Sequence, residues 1–477
     1  MTATTTAPAP TPVAAGAPAR PGLTPAGLVT VLLGAALPII DFFIVNVALP
    51  TISQDLRTSA STLELVVAGY GIAYAVLLVL GGRLGDTFGR RRLFLLGLTL
   101  FTLTSLVCGL APDATTLVLA RVAQGAASAL LLPQVLSIIQ AGTTGERRSR
   151  ALGLFGATGG ISTVVGQLLG GALVAANLGG TSWRPIFLVN VPIGLFGLLI
   201  ARRTVPDSRA ASPLGIDRWG TALLAASLLS LLVPIMEGRS LGWPWWTIAL
   251  LALFPFAAFA FVRVETRLER HGGMPLLPPS LLRTASVRHG LMVAVPFFCG
   301  FGSFMFVYAM TLQDGLHLGP LGSGLALTPM AVAYFTTSLV SSRLVTRYGQ
   351  KVVIVGGAVL ALGLLVLAGS ALLAWPDLSI WDLAPAMVLI GVGNGMTTST
   401  LFRIVLSRVP TDLAGVGGGV LTTTQQTSLA LGVAVFGSLF AGLGAHGFEQ
   451  AFVVVIGVLA VLAVLVAGLA RKLPDPR

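Results

Sequence analysis

Apolar runs of about 20 residues recur from one end of this chain to the other, with only short polar breaks between them. The runs show no alternation of period two, so they do not read as the strands of a membrane barrel. In hydrocarbon every backbone N–H and C=O must find its partner inside the protein, and runs of this length therefore predict helices. The predicted spans are 27–49, 63–82, 93–111, 115–140, 151–176, 185–201, 217–236, 245–263, 289–312, 321–343, 352–374, 383–407, 417–441 and 449–470. The expected fold is an all-α polytopic membrane protein with 14 transmembrane helices. The first run is too long for a signal-peptide core and lacks a cleavage-site context, so it reads as a retained helix.

Charge orients the array. Of 477 residues only 10% are charged, against roughly 25% in ordinary soluble domains, and the formal net charge is +12. The basic residues cluster in alternate breaks: Arg90, Arg91 and Arg92; Arg147, Arg148 and Arg150; Arg202, Arg203 and Arg209; Arg263, Arg267 and Arg270; Arg343, Arg347 and Lys351; Arg403 and Arg408. Arg20, Arg471, Lys472 and Arg477 lie in the tails, and the opposite breaks hold only Arg57, Arg184 and Arg239. That is the positive-inside distribution, which places both termini in the cytoplasm and argues against a nucleic-acid partner. Arginine supplies nearly all the basic residues and Ala and Gly abound, as in GC-rich bacteria, so a bacterial plasma membrane is expected. Residues 1–26, rich in Ala, Thr and Pro, are expected to be a disordered cytoplasmic tail. Cys108 and Cys299 both lie in apolar runs and read as packed free thiols.

Two breaks repeat one another. Arg83-Leu84-Gly85-Asp86-Thr87-Phe88-Gly89-Arg90-Arg91 follows the second span and Arg343-Leu344-Val345-Thr346-Arg347-Tyr348-Gly349-Gln350-Lys351 follows the tenth. If they correspond, residues 27–201 and 289–470 are two six-helix halves, 202–288 is a two-helix insert with flanking loops, and 471–477 is a tail. Paired halves rocking about a midplane site are a known transporter plan.

Gly82-Arg83-Leu84-Gly85-Asp86-Thr87-Phe88-Gly89-Arg90-Arg91-Arg92 resembles the cytoplasmic loop motif of the major facilitator superfamily. Asp41-Phe42-Phe43-Ile44-Val45-Asn46-Val47-Ala48-Leu49-Pro50 resembles the first-helix motif of its fourteen-helix drug:proton antiporters. Arg121-Val122-Ala123-Gln124-Gly125 is similar to the superfamily's proton-linked arginine motif, and Trp183 to Gly194, with Asn190 inside it, resembles the sixth-helix opening of the same branch. The resemblance covers residues 27 to 470 and implies two six-helix halves plus two inserted helices, with proton-driven export of lipophilic drugs or antibiotics. In the loop motif it implies a glycine-made turn whose acid and bases lock neighbouring helix ends: Gly82, Asp86, Gly89, Arg90 and Arg91 are the gating candidates. The fifth-helix antiporter motif is imperfect: Gly153, Gly166, Gly170 and Gly171 are in place, but Ser162 replaces a glycine and Gln167 a proline. Gly166, Gly170 and Gly171 remain gating candidates because small residues let helices approach closely. The second-half loop has Thr346 where the first has Asp86, so it lacks the acidic lock.

Ionisable groups at membrane depth are costly and mark function by default. Asp41, inside the first span, and Arg121, two turns into the fourth, are the proton-coupling candidates. Burial favours a neutral Asp41 and a nearby cation an ionised one, so protonation can be set against substrate binding. The alternative is an aspartate that only ties helices together. Arg121 keeps its proton and would tune a partner, or would form a static pair. Arg121, Gln124, Gly125 and Ser128 share one helix face. Glu64, Glu237 and Asp314 fall near outer helix ends, where water would solvate them. Asn46, Gln124, Gln134, Asn394, Gln425 and Gln426 are the substrate-binding candidates, although each could instead bond between helices. Phe42, Phe43, Phe297, Phe298, Tyr308 and Tyr334 offer an aromatic pocket wall, and Trp243, Trp245 and Trp246 an interfacial belt.

Other chemistry is not indicated. Gly238 to Gly242 has nucleophile-elbow spacing without a strand-to-helix turn, Gly391 to Gly395 is a packing stretch, and no Walker A string is present. His271, His289, His317 and His446 show no metal-ligand spacing. Neither enzyme activity nor cofactor nor metal is expected. The partners are a small lipophilic substrate, protons and the bilayer, with a monomer as the functional unit. A scarcity of intramembrane carboxylates favours a neutral, monocationic or zwitterionic compound. The alternatives are an uptake symporter for a small organic solute and, more remotely, a membrane enzyme or sensor.

Overall fold

The computed structural model describes residues 22–209, 215, 217–238, 241–273, 275–409, 414–444 and 447–475. Arg20 and most of the predicted tail, Arg239, His446 and Arg477 lie outside these. The described residues contain 14 helices long and apolar enough to cross a membrane. In order they are α1 Pro25–Leu56, α2 Ala60–Phe88, α3 Arg90–Gly109, α4 Ala114–Gly142, α5 Gly145–Ala176, α6 Pro185–Thr204, α7 Arg218–Glu237, α8 Trp245–Arg270, α9 Ala285–Gly315, α10 Pro320–Tyr348, α11 Lys351–Ala374, α12 Ile380–Leu406, α13 Gly417–Gly444 and α14 Phe448–Leu469. Among the described residues there is no strand.

Local chemistry sets the starts. Thr24 caps α1 with Pro25 at its first position, Asp113 accepts from the Thr116 N–H at 2.8 Å, and Ser379 with Asp382 forms a capping box on α12. Most helices outrun the apolar stretch that predicts them, because the backbone ladder continues once the side chains reach polar surroundings. The consequence matters most at α2. The loop motif is helical as far as Phe88, and only Gly89, at φ 107°, makes the turn into α3. The expected glycine-built loop is thereby corrected. Gly85 serves packing instead, since a Cβ there would strike the Gln134 side chain on α4. A short helix, Pro279–Arg283, joins the insert to α9 and has no counterpart in the predicted spans.

The packing repeats with every label raised by eight. In the first half α2 packs on α4, α3 on α4 and α6, and α1 on α5; later, α10 packs on α12, α11 on α12 and α14, and α9 on α13. Two seams join these sets, α2 with α13 and α5 with α10, while α7 and α8 pack together beside α2. The seams are tight at the end remote from Pro25. There a Cβ on Gly171 would lie 2.7 Å from the Pro320 carbonyl oxygen, and one on Gly324 3.0 Å from that of Gln167. Gln313, in a π turn at the end of α9, donates to the Val47 carbonyl at 2.8 Å. Toward the basic end a Cβ on Gly156 of α5 would meet nothing within 4 Å, whereas one on Gly419 of α13 would lie 3.3 Å from the Val79 side chain of α2.

Gly171→Val should therefore force the remote end of the α5–α10 seam apart. We expect export to fall severalfold, with a cysteine introduced into that seam becoming more reactive from the remote side. Unchanged export and labelling would show that the seam does not depend on this approach.

Candidate functional site

Four helices of the first half converge on Asp41. Its side chain and that of Arg121 are both 0% exposed, and Arg121 Nη1 bonds Asp41 Oδ2 as a buried salt bridge. Gln124 Nε2 and Asn190 Nδ2 each donate to Asp41 Oδ1, at 2.9 and 2.8 Å. The carboxylate thus accepts from α4 twice and from α6 once, which is the coordination of an anion. Arg121 also donates from Nη1 to Gln124 Oε1 at 2.7 Å and from Nε to the Val66 carbonyl at 3.1 Å. Its guanidinium carbon lies 4.4 Å from the centre of the Tyr70 ring. Ser105 of α3 accepts from Gln124 at 2.6 Å and from Asn190 at 3.3 Å, closing the ring. A second layer runs from Tyr70 to Ser128 at 2.8 Å and from Ser128 to the Gln124 carbonyl at 3.0 Å.

The expected face of α4 is realised here. Arg121, Gln124 and Ser128 all point into the network, and Gly125 lets α2 approach, since its Cβ would strike the Tyr70 carbonyl. Sequence reasoning joined neither Asn190, Ser105 nor Tyr70 to the site. Asn190 alone carried a signal, as a polar residue within the sixth-helix motif.

The other candidates are scattered. Asn46 is buried and donates to the Phe42 carbonyl at 3.1 Å, one turn away from Asp41. Gln134 is fully enclosed and donates to the Gly81 carbonyl at 2.8 Å, so it ties α4 to α2 and faces no cavity. Asn394 donates to Ile390 within α12 at 2.9 Å and borders a small apolar cavity among α9, α11, α12 and α14. Gln425 is half-buried and Gln426 buried on α13, whose Thr423 hydroxyl donates to the Ala75 carbonyl at 3.2 Å across the seam. Gly166 and Gly170 pack on α1, where a Cβ would lie 2.8 Å from the Ile40 and Ile44 carbonyls respectively, while Gly171 meets α10. Gln167 is buried at the junction of the halves, with its amide 3.7 Å from the Met305 sulfur. Glu64 corrects an expectation: it is 2% exposed, beside Gly437 in a π turn of α13, and is not solvated.

The loop motif makes contacts at the basic ends of α3, α4 and α6. Asp86 accepts from Arg90 at 2.8 Å, and Arg90 reaches the Ser137 carbonyl of α4 at 3.4 Å. Arg91 bonds the Arg202 carbonyl at the end of α6. A Cβ built on Gly82 would make only an ordinary contact, with Pro133.

Residues 31–433 match the profile of the Major Facilitator Superfamily. The chain is 37% identical over 415 residues to a protein of Streptomyces coelicolor named "Probable actinorhodin transporter", covering 87% of this chain and 72% of that one. It is 35% identical over 469 residues to the puromycin resistance protein pur8 of Streptomyces alboniger, covering 92% and 90%. A solved structure described as "Structural insights into substrate recognition in proton dependent oligopeptide transporters" superposes with a TM-score of 0.66 over 94% of this chain and 99% of the other. At 16% identity that likeness is one of fold. Fourteen spans, two seams between repeated packing patterns and this match over most of the length have one reading: the chain belongs to the Major Facilitator Superfamily.

Proposed function

We propose that this protein exports a lipophilic antibiotic or related drug across the plasma membrane in exchange for protons, by alternating access. The observation that carries the reading is the buried Asp41 carboxylate, held by Arg121, Gln124 and Asn190 from α4 and α6, while its own helix α1 packs on α9 and α10 of the second half. The relatives named for an antibiotic transporter and for antibiotic resistance point the same way.

The mechanism follows from the ring of donors. A proton arriving on Asp41 neutralises it, and Arg121, which stays charged, loses its counter-ion and must seek another acceptor. Helices α1, α4 and α6 then have reason to re-pack. Helix α1 carries Phe43 against Phe301, with ring centroids 6.2 Å apart, and offers its Val47 carbonyl to Gln313, so re-packing is felt at the junction of the halves. By the positive-inside rule the basic end faces the cytoplasm. With Asp41 ionised and paired with Arg121, the arrangement described above corresponds to the stage at which the proton has been delivered and drug can be taken up. Asp86, Arg90 and Arg91 would hold the basic end of α3 during the cycle, and Gly166, Gly170 and Gly171 would let α5 slide. Gln425 and Gln426 are the polar groups best placed to meet a substrate between the halves. One chain with one such site works as a monomer on a neutral, monocationic or zwitterionic compound.

The test is export from energised inverted vesicles against a panel of antibiotics and dyes. Accumulation of at least one compound that collapses with the pH gradient is the expected result. Proton flow in the symport direction, driven by a nutrient panel with no response to drugs, would replace export with uptake.

A further inference from the structure

Arg83 of the loop motif takes no part in the contacts of Asp86, Arg90 and Arg91. Arg83, on α2, is 4% exposed and turns away from Asp86 toward the insert. It donates to the Gly215 carbonyl at 2.9 Å and to the Pro275 carbonyl, which flank α7 and α8 respectively. Two buried carboxyls lie in the same place. Asp217 caps α7, accepting from the Gly220 N–H at 2.7 Å, and Glu265 of α8 accepts from the Leu277 N–H at 2.7 Å. Each therefore has one oxygen satisfied by backbone. The remaining two, Asp217 Oδ2 and Glu265 Oε1, accept nothing from any donor among the described residues. They also flank a single point, because a Cβ built on Gly220 would touch both.

We infer that Asp217 and Glu265 share one proton, making a second proton-binding site that clamps α7 to α8 within the insert, beside Arg83 of α2. Two bare carboxylate oxygens facing one another inside a protein repel, and a single proton between them turns repulsion into a hydrogen bond. The charge balance agrees. One guanidinium against two carboxylates leaves a negative charge uncompensated in a buried cluster, and one proton removes it. The charged groups that face the pair are Arg83 from α2 and the two carboxyls themselves; Asp86 is engaged by Arg90, and Glu269, one turn beyond Glu265, is engaged by Ser280. The clamp does not depend on the drug:proton exchange. It predicts that the facing ends of α7 and α8 loosen from one another as alkali strips the shared proton.

Two measurements on the purified full chain in lipid test it. In infrared difference spectra taken between acid and alkaline pH, one protonated-carboxyl component should vanish in both Glu265→Gln and Asp217→Asn and persist in Asp41→Asn. The carboxamide in either variant can donate to the remaining carboxylate, so the clamp should hold without titrating. In the wild-type chain, hydrogen exchange of the Gly220 and Leu277 amides, corrected for its intrinsic pH dependence, should accelerate severalfold on going alkaline. Persistence of the component in both variants, or flat corrected exchange in the wild type, overturns the shared proton whatever becomes of the coupling role of Asp41.

Discussion

Arg121→Leu is expected to destabilise the folded chain by roughly 3–5 kcal/mol, the cost of leaving a buried charge without its partner. The arginine is wholly enclosed and holds Asp41, Gln124 and the Val66 carbonyl at once. Leucine would fill part of its volume but leave the Asp41 carboxylate without a counter-ion. Thermal unfolding in detergent should show the loss directly. The double variant Asp41→Asn/Arg121→Leu should recover a large part of it, since neither charge is then buried alone. If the double variant were as unstable as Arg121→Leu, shape and not charge would be what the arginine supplies.

Asp41→Asn should have the largest effect on transport, with a cost in folding that is below that of Arg121→Leu because an acceptor for the guanidinium remains. Asparagine has the shape of aspartate, and its oxygen can still accept from Gln124, Asn190 or Arg121. It cannot exchange a proton. Uphill, gradient-driven export is expected to fall to background, while drug binding, measured by fluorescence quenching or calorimetry, stays within a few-fold of wild type. Loss of binding together with transport would instead make Asp41 part of the drug site.

These two variants probe residues that were visible in the sequence, and for a physical reason. An aspartate and an arginine inside apolar runs stand out because hydrocarbon penalises them, and the spacing of Arg121, Gln124 and Ser128 puts them on one face. The fourteen helices were legible for the same kind of reason, since long apolar runs in a bilayer have one backbone solution. Helix ends were not, because the backbone ladder runs past the last apolar side chain, as at Gly82 to Phe88. Contacts between distant segments were also hidden. Asn190, Ser105 and Tyr70 reach the site only through packing of α2, α3, α4 and α6. Gln134 could have lined a cavity or bonded between helices, and only the packing shows its side chain over Gly85, donating to the Gly81 carbonyl of α2. Arg83 looked like one more loop base, yet α7 and α8 bury it.

The most direct test of coupled exchange is proton release from purified protein in weak buffer at acidic pH, on addition of a compound that the vesicles export. Binding of drug should expel a proton from the wild-type chain, and Asp41→Asn should bind the same compound and expel none. Equal release from both would contradict Asp41 as the coupling group, and proton uptake in place of release would contradict antiport itself.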